Sequence, residues 1–329
     1  MLILVTGGAG YIGSHTCVAL LEAGYSVVVA DNLANSNKTV LVEVEKITGK
    51  KVQFYLIDVT DEANLDRLFK THQFDGVMHF AGLKAVGESV EKPLLYYHNN
   101  ILSTITLAKK CLEYGVKHFV FSSSATVYGE NPSPLLETME LLPRTSPYGE
   151  TKAISEQILK DLVRVNEHFA VALLRYFNPV GAHQSALIGE KPDGVPNNLM
   201  PFITQVARGK LKKLRVFGND YPTIDGTGVR DYIHVCDLAE GHVAALEKLK
   251  PGVCIYNLGT GRGTSVLELI ETFERVNGLK LPYEITARRP GDIAECYADV
   301  SKAKRELCWQ ARRTVADMCL DAWRFEENN

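Results

Sequence analysis

The chain has 329 residues, 46% hydrophobic and 23% charged, which is enough apolar material for one large domain or two that share an interface. A formal net charge of −3 argues against an extended nucleic-acid footprint. Met1 to Val5 lack the basic start and small-residue cleavage site of a secretory leader, and no apolar run is long enough to span a bilayer.

The first strand is expected over Leu2–Thr6, and further apolar runs cover Ser26–Ala30, Val52–Leu56, Gly76–Phe80, Lys117–Ser122 and Ala170–Tyr176. Segments of helical periodicity, such as Ser14–Ala23 and Asn99–Glu113, lie between them. Strands with little polar alternation, separated by helices, predict an α/β fold: a Rossmann-type, doubly wound parallel sheet covered on both faces. After Asn178 the texture changes. Pro179–Asp231 is rich in Gly, Pro and Asn, with one helical piece at Leu199–Ala207. A helix at Cys236–Leu249, a strand at Cys254–Leu258 and helices at Ser265–Asn277 and Val300–Leu307 complete the expected elements. This predicts a smaller α/β substrate-binding domain interleaved with the sheet. Residues 1–178 would form the cofactor-binding domain, with 235–260 returning to it. Residues 179–234 and 261–329 would mainly form the substrate domain.

Gly7-Gly8-Ala9-Gly10-Tyr11-Ile12-Gly13 stands between the first strand and the first helix. Glycine at 7, 10 and 13 permits a tight turn, close approach to a pyrophosphate and close helix–sheet contact. The spacing departs from the common Gly-x-Gly-x-x-Gly fingerprint, and its weight comes from its place between strand and helix. Asp31 ends the second strand, eighteen residues after Gly13. A carboxylate there accepts hydrogen bonds from an adenosine ribose and repels a 2′-phosphate, which favours NAD over NADP. Asp58, after the third strand, is placed either to approach the adenine or to serve only its loop. The glycine loop alone also leaves FAD and S-adenosylmethionine open.

Farther along, Phe121-Ser122-Ser123-Ser124 puts a hydroxyl at the carboxyl end of the sheet, without showing which serine matters. Tyr148 and Lys152 stand four residues apart, after a Pro147 suited to a first helical turn and a Thr145 or Ser146 cap. On a helix they share one face. A phenol with a pKa of about 10 is a poor base near neutrality. A lysine ammonium and a positive nicotinamide ring stabilise the phenolate. Together with the glycine loop, the set predicts oxidation and reduction at a hydroxyl-bearing carbon.

With these motifs in this order, the chain resembles the UDP-glucose 4-epimerase family of the extended short-chain dehydrogenases/reductases, essentially end to end. The matching runs are Thr6–Gly13, His79–Val90, Phe121–Gly129, Ser146–Lys152, Arg175–His183, Pro196–Pro201, Phe217–Val235 and Arg288–Asp292. Phe80-Ala81-Gly82-Leu83-Lys84-Ala85-Val86-Gly87-Glu88-Ser89 is far more specific than the glycine pattern. The resemblance implies Ser124 as the family serine, Tyr148 as acid/base and Lys152 as its electrostatic partner. It implies reversible C4 epimerisation of UDP-hexoses through a 4-keto sugar and enzyme-bound NADH. NAD is then retained as a prosthetic group. Further cofactor contacts are implied at Tyr11 and Ile12 in the loop, at Asn32 beside Asp31, and at Val59 beside Asp58. Phe80, Ala81 and Gly82 follow the fourth strand, and Lys84, Asn99, Ser122 and Tyr176 complete that set.

For the substrate, Arg230 in Gly-Val-Arg-Asp-Tyr and Arg289 in Arg-Arg-Pro-Gly-Asp match phosphate-binding residues, as suits guanidinium groups. Phe217 resembles a uracil contact and Asp292 a uridine-ribose contact. Asn178, Asn198 and Leu199 resemble the floor and rim of the site, with Lys84 and Tyr232 beside them. Cys296 takes the place where some members carry a tyrosine beside the sugar. The extra volume implies room for a C2 N-acetyl group, so UDP-GlcNAc/UDP-GalNAc conversion is expected beside the glucose/galactose pair. Exclusive preference does not follow from apolar volume.

The related nucleotide-sugar 4,6-dehydratases carry an acidic pair directly after the strand-end hydroxyl. Ser124-Ala125-Thr126-Val127 lacks it, which disfavours elimination. A non-catalytic NAD-binding protein is the other alternative, opposed by the intact Ser124, Tyr148 and Lys152. The family implies a homodimer, formed through helices of the sheet domain. Seven scattered cysteines without a Cys-x-x-Cys pair predict neither a metal site nor a disulfide framework, and fit a reducing cytoplasm. No nucleic-acid or membrane partner is expected.

Overall fold

In β1 (Leu2–Thr6), Ile3 and Val5 enter one apolar cluster and Leu4 enters another. A strand apolar on both sides belongs inside a sheet covered by helices on both faces. The computed structural model shows that sheet. It describes residues 1–329 apart from Asp193, Val195, Asn197, Pro290 and Gly291.

After β1 come α1 (Tyr11–Glu22), β2 (Ser26–Asp31), α2 (Thr39–Thr48), β3 (Gln53–Leu56) and α3 (Glu62–Thr71). Then follow β4 (Gly76–His79), α4 (Val86–Glu91), α5 (Pro93–Glu113), β5 (His118–Ser124), α6 (Pro147–Val165) and β6 (Ala170–Tyr176). The next segment holds β7 (Asn178–Val180), α7 (Leu199–Ala207), β8 (Leu214–Phe217), β9 (Val229–Arg230) and β10 (Tyr232–His234). It leads to α8 (Val235–Glu247) and β11 (Gly252–Leu258). The chain ends with β12 (Thr264–Ser265), α9 (Val266–Asn277), β13 (Tyr283–Thr286), β14 (Glu295–Cys296), α10 (Ser301–Leu307) and α11 (Val315–Asn328).

Seven strands form one parallel sheet in the order β3-β2-β1-β4-β5-β6-β11. The winding direction switches between β1 and β4, so a ligand crevice opens at their carboxyl ends. Cys17 and Leu20 of α1, Val44 of α2 and Leu238 of α8 cover one face. Leu65 of α3, Leu107 of α5 and Leu159 of α6 cover the other. β5 runs to Ser124, two residues past the expected end, so all three serines belong to it. α5 starts at Pro93 rather than Asn99, with proline in the first turn, where its missing N–H costs nothing.

A third apolar cluster joins Ile203 of α7, Val216 of β8, Leu269 and Phe273 of α9, and Met318 of α11. Short sheets β10-β7, β12-β9-β14 and β13-β8 edge this cap. The short strands and α11 are additional to the expected elements. α11 is started by a reciprocal capping box between Thr314 and Asp317. Among the described residues no helix is long and apolar enough to cross a membrane, and no group of three or more His, Cys, Asp or Glu is placed to hold a metal. The seven cysteines are free thiols.

Candidate active site

The glycine loop sits at the switch between β1 and β4. Gly7 has φ of +72°, and a Cβ there would lie 2.6 Å from the Ala81 backbone nitrogen. A Cβ on Gly13 would strike the Gly7 carbonyl oxygen and approach Gly8 Cα to 2.8 Å. Gly10 is different. A Cβ there meets only the Gly7 oxygen, at 3.2 Å, so glycine keeps the mouth of the loop open. α1 begins with neither a capping side chain nor an acidic residue in its first turn. Its leading N–H groups, from Tyr11, Ile12 and Gly13, suit a pyrophosphate.

Asp31 is buried at the end of β2. It accepts from Ala9 N–H at 3.0 Å, Leu33 N–H at 2.8 Å and the Ser36 hydroxyl at 3.0 Å. A carboxylate has about four acceptor positions, so one is left for a ribose hydroxyl. Asn32 donates to Asp58 at 3.0 Å, and Asp58 also accepts from Thr60. Burial alone would raise the Asp58 carboxyl; these hydrogen bonds outweigh it and hold the group below its usual range. Val59 is buried beside it. The N–H groups of Phe80 and Ala81 both donate to the Thr6 carbonyl, at 2.9 and 3.1 Å, which brings the β4 loop over the glycine turn.

Strand alternation separates the three serines. Lys152 donates to the Ser122 carbonyl at 2.6 Å, whereas the Ser123 hydroxyl points away and donates to buried Glu156 at 2.6 Å. Ser124 accepts from the Thr126 N–H and hydroxyl, at 3.2 and 2.9 Å, and its hydroxyl meets Tyr148. α6 is capped by Ser146, not Thr145, with Pro147 in its first turn. Tyr148 and Lys152 then share a face, with the ammonium 5.9 Å from the Tyr148 ring centre and 4.9 Å from that of Phe121. Burial raises the Tyr148 phenol, against the effect of the Ser124 hydrogen bond. Burial also lowers Lys152 to about 8, against the pull of Glu156.

Tyr176 and Phe80 wall the same region. His242 Nδ1 faces the Leu238 carbonyl at 2.8 Å and must donate to it, so Nε2 accepts from the Tyr176 hydroxyl at 2.9 Å. Burial holds His242 down to about 4, and the Phe80 ring lies 4.9 Å from it. Asn99 donates to Asn100 at 3.0 Å. Asn100 in turn clamps both the N–H and carbonyl of Leu83, at 2.8 and 3.0 Å, and Thr151 at 3.1 Å. Gly82 leaves space for that amide. Sequence reasoning missed Asn100, Glu156 and Arg175, although an arginine inside the apolar run Ala170–Tyr176 was a visible signal.

Across the crevice, Lys84 pairs with Glu190 at 3.0 Å, and Asn198 donates to the same carboxylate at 2.7 Å. Tyr11 donates to the Gly181 carbonyl at 2.7 Å, a second tie between the cofactor loop and the cap. Asn178 opens β7 with an exposed side chain, and Leu199 opens α7. Arg230 and Cys296 are register partners on β9 and β14. The Arg289 guanidinium stacks 3.8 Å from the Phe217 ring centre, and exposed Asp292 donates its N–H to the Arg289 carbonyl at 3.2 Å. Cys296 is half-buried against the cluster of Ala125, Tyr128 and Phe177, and burial pushes its thiol up to about 11. The Tyr232 side chain is buried and packed in the cap cluster. Pro290 and Gly291 of the Arg289 motif, and Asn197 beside Asn198, lie outside the described residues.

Three comparisons with known proteins identify the family. The profile of the NAD dependent epimerase/dehydratase family matches residues 3–259. The chain is 59% identical to the UDP-glucose 4-epimerase of Bacillus subtilis, over 100% of this chain and 98% of that one. The structure of UDP-glucose 4-epimerase from Bifidobacterium longum in complex with NAD+ and UDP superposes with a TM-score of 0.97 at 52% identity, covering 100% and 99% of the two chains. The UDP-Glc/GlcNAc 4-epimerase of Campylobacter jejuni superposes with a TM-score of 0.86 at 37% identity, covering 100% and 99%.

Proposed function

Because the chain belongs to the NAD dependent epimerase/dehydratase family, and within it to the UDP-glucose 4-epimerases, we infer that it inverts C4 of UDP-hexoses reversibly. The observation that carries this reading is the meeting of Ser124, Tyr148 and Lys152 at the carboxyl end of the sheet, beside the glycine loop. NAD, when bound, supplies reversible two-electron oxidation at the sugar carbon. The α1 N-terminus would hold its pyrophosphate, and the remaining acceptor position of Asp31 would take a ribose hydroxyl. Tyr148 removes the proton of the 4-hydroxyl and later returns one, while Ser124 hydrogen-bonds the same oxygen. Lys152 stabilises the phenolate that this exchange requires. Arg230 and Arg289 hold the diphosphate, Phe217 the uracil and Asp292 the uridine ribose, while Asn178, Asn198 and Leu199 bound the sugar. The 4-keto sugar turns about its UDP linkage between the two proton transfers.

On this reading residues 1–178 and 235–260 form the cofactor-binding unit, and 179–234 with 261–329 hold the UDP-sugar. The purified protein assayed on UDP-glucose and UDP-galactose, with retained cofactor followed by absorbance, tests the function. Epimerisation leaves product mass unchanged, whereas loss of water would transfer the reading to a dehydratase.

The half-buried Cys296 supports turnover of the UDP-GlcNAc/UDP-GalNAc pair as well. Cys296→Tyr fills the space beside the sugar, and should lower the N-acetyl rate by about tenfold or more while sparing the glucose pair. Equal rates for both pairs in the variant would remove the volume argument. A homodimer is supported by apolar residues left at the α5/α6 surface: exposed Ile105 lines a groove with Leu112, Ile158 and Leu162, and Leu94 is exposed in the first turn of α5. Sedimentation equilibrium should return twice the 36.4 kDa chain mass; a single-chain mass would refute the dimer. The free thiols and the lack of a membrane-spanning helix among the described residues support a cytoplasmic location.

A further inference from the structure

Glu156 stands one helical turn beyond Lys152 on α6, fully buried, and the reaction above makes no use of it. Its carboxylate accepts from the Ser123 hydroxyl at 2.6 Å, from two nitrogens of Arg175 on β6, at 2.9 and 2.7 Å, and from Lys160, one turn on along α6, at 3.4 Å. Ser123 lies between Ser122, whose carbonyl holds Lys152, and Ser124, whose hydroxyl meets Tyr148. Three consecutive residues of β5 are therefore each tied to a different side chain of α6. Such a register fixes the helix against the strand in rotation as well as along its axis. Ser123 and Arg175 are also register partners on neighbouring strands, so one carboxylate joins α6, β5 and β6 at a single point. The Arg175 guanidinium lies 4.7 Å from the Tyr128 ring centre, and the Tyr128 hydroxyl reaches Asn257 on β11 at 2.6 Å.

We propose that Glu156 is a positioning residue for the reaction: it sets where Ser124, Tyr148 and Lys152 meet, and it places a buried carboxylate one helical turn from the Lys152 ammonium. The proposal rests on the epimerase reading. Burial works against that ammonium, and Glu156 opposes the burial. The other groups around Lys152 and Tyr148 are His79 on β4, Tyr176 on β6 and Tyr96 on α5, while Arg175 on β6 and Lys160 on α6 face Glu156 itself. His79 is held neutral, down to about 3, by its own burial and then by Lys152. None of these groups carries a negative charge at neutral pH, which leaves that charge to Glu156. A buried acid of this kind is kept only when fully paired, and Arg175 and Ser123 supply the pairing.

Glu156→Gln in the NAD-loaded protein preserves shape and removes the charge. Lys152 can be titrated by carbon-13 NMR of labelled lysine, its resonance identified by its loss in Lys152→Met; this requires no sugar. The midpoint should fall by about one pH unit in Glu156→Gln. The alkaline limb of kcat should move down with it, while KM for UDP-galactose stays within about twofold. An unmoved midpoint overturns the charge role. Ser123→Ala, a smaller change that keeps the proposal testable should Glu156→Gln fail to fold, removes only the middle tie. It should lower kcat about fivefold with the Lys152 midpoint unchanged, the scale of one buried hydrogen bond. A kcat equal to wild type overturns the positioning role. A wild-type protein without turnover would overturn the epimerase reading instead, and the NMR titration would still decide the charge role.

Discussion

Tyr148→Phe is expected to abolish measurable interconversion of UDP-glucose and UDP-galactose while leaving bound NAD in place. The substitution removes one hydroxyl from a half-buried ring and disturbs neither the glycine loop nor Asp31. Burial raises the Tyr148 phenol and the Ser124 hydrogen bond opposes it; on the proposed reading, Lys152 and the cofactor charge further favour the phenolate. Without the hydroxyl, Ser124 would keep its place but would have no base to pass a proton to. Positioned acid–base groups are typically worth about 10²- to 10⁴-fold, and here one group acts in both half-reactions. Initial rates together with the absorbance of cofactor released on denaturation decide the matter. A variant with full activity and full cofactor content would remove Tyr148 from the chemistry.

Gly13→Ala is expected to empty the protein of copurified NAD and to lower its stability. The added methyl meets backbone on two sides, the Gly7 carbonyl and Gly8 Cα, and neither is the movable end of a side chain. Relief requires α1 to back away from the turn, which withdraws the N–H groups that face the pyrophosphate. Overpacking of this kind costs about 1–3 kcal/mol, or a few degrees in Tm for a chain of this size. Gly10→Ala is the informative contrast. Its methyl has one neighbour at 3.2 Å, so the fold should hold while the open mouth of the loop is narrowed. Calorimetry and the cofactor content of the two variants give the comparison; unchanged NAD content in Gly13→Ala would mean that the loop does not hold the pyrophosphate as described.

The sheet was legible because its strands are apolar on both sides and carry their helices between them. Leu2–Thr6 and Ala170–Tyr176 coincide with the expected limits, and α7 does too. The short cap strands were not legible. Val229–Arg230 and Glu295–Cys296 are two-residue pieces whose partners lie far away in sequence, so no periodicity can develop. α11 was missed although Thr314 and Asp317 spell a capping signal, because its helical face packs against cap residues that sequence alone does not bring near. At the site, Tyr148 and Lys152 were readable from a single spacing. The residues alone left Ser122, Ser123 and Ser124 open and the resemblance implied Ser124; the structure ties the Ser123 hydroxyl to Glu156 and brings Ser124 to Tyr148. Glu156 was hidden for the opposite reason: it is unremarkable alone, and only the pairing of β6 with β5 beneath α6 makes it the partner of Arg175, whose place inside an apolar run was the visible signal.

The position of β11 bears on how the molecule is born. It completes the sheet by pairing along the whole of β6, yet the ribosome releases it only after the chain from β7 through α8 has emerged. At ordinary rates of synthesis that interval lasts about 4–15 s. For that time the nascent lobe presents a long apolar edge with unpaired backbone, an invitation to mispair with neighbouring chains. Truncation after Phe177 would make that transient exposure permanent, so the cofactor lobe should aggregate when expressed without the segment that follows it.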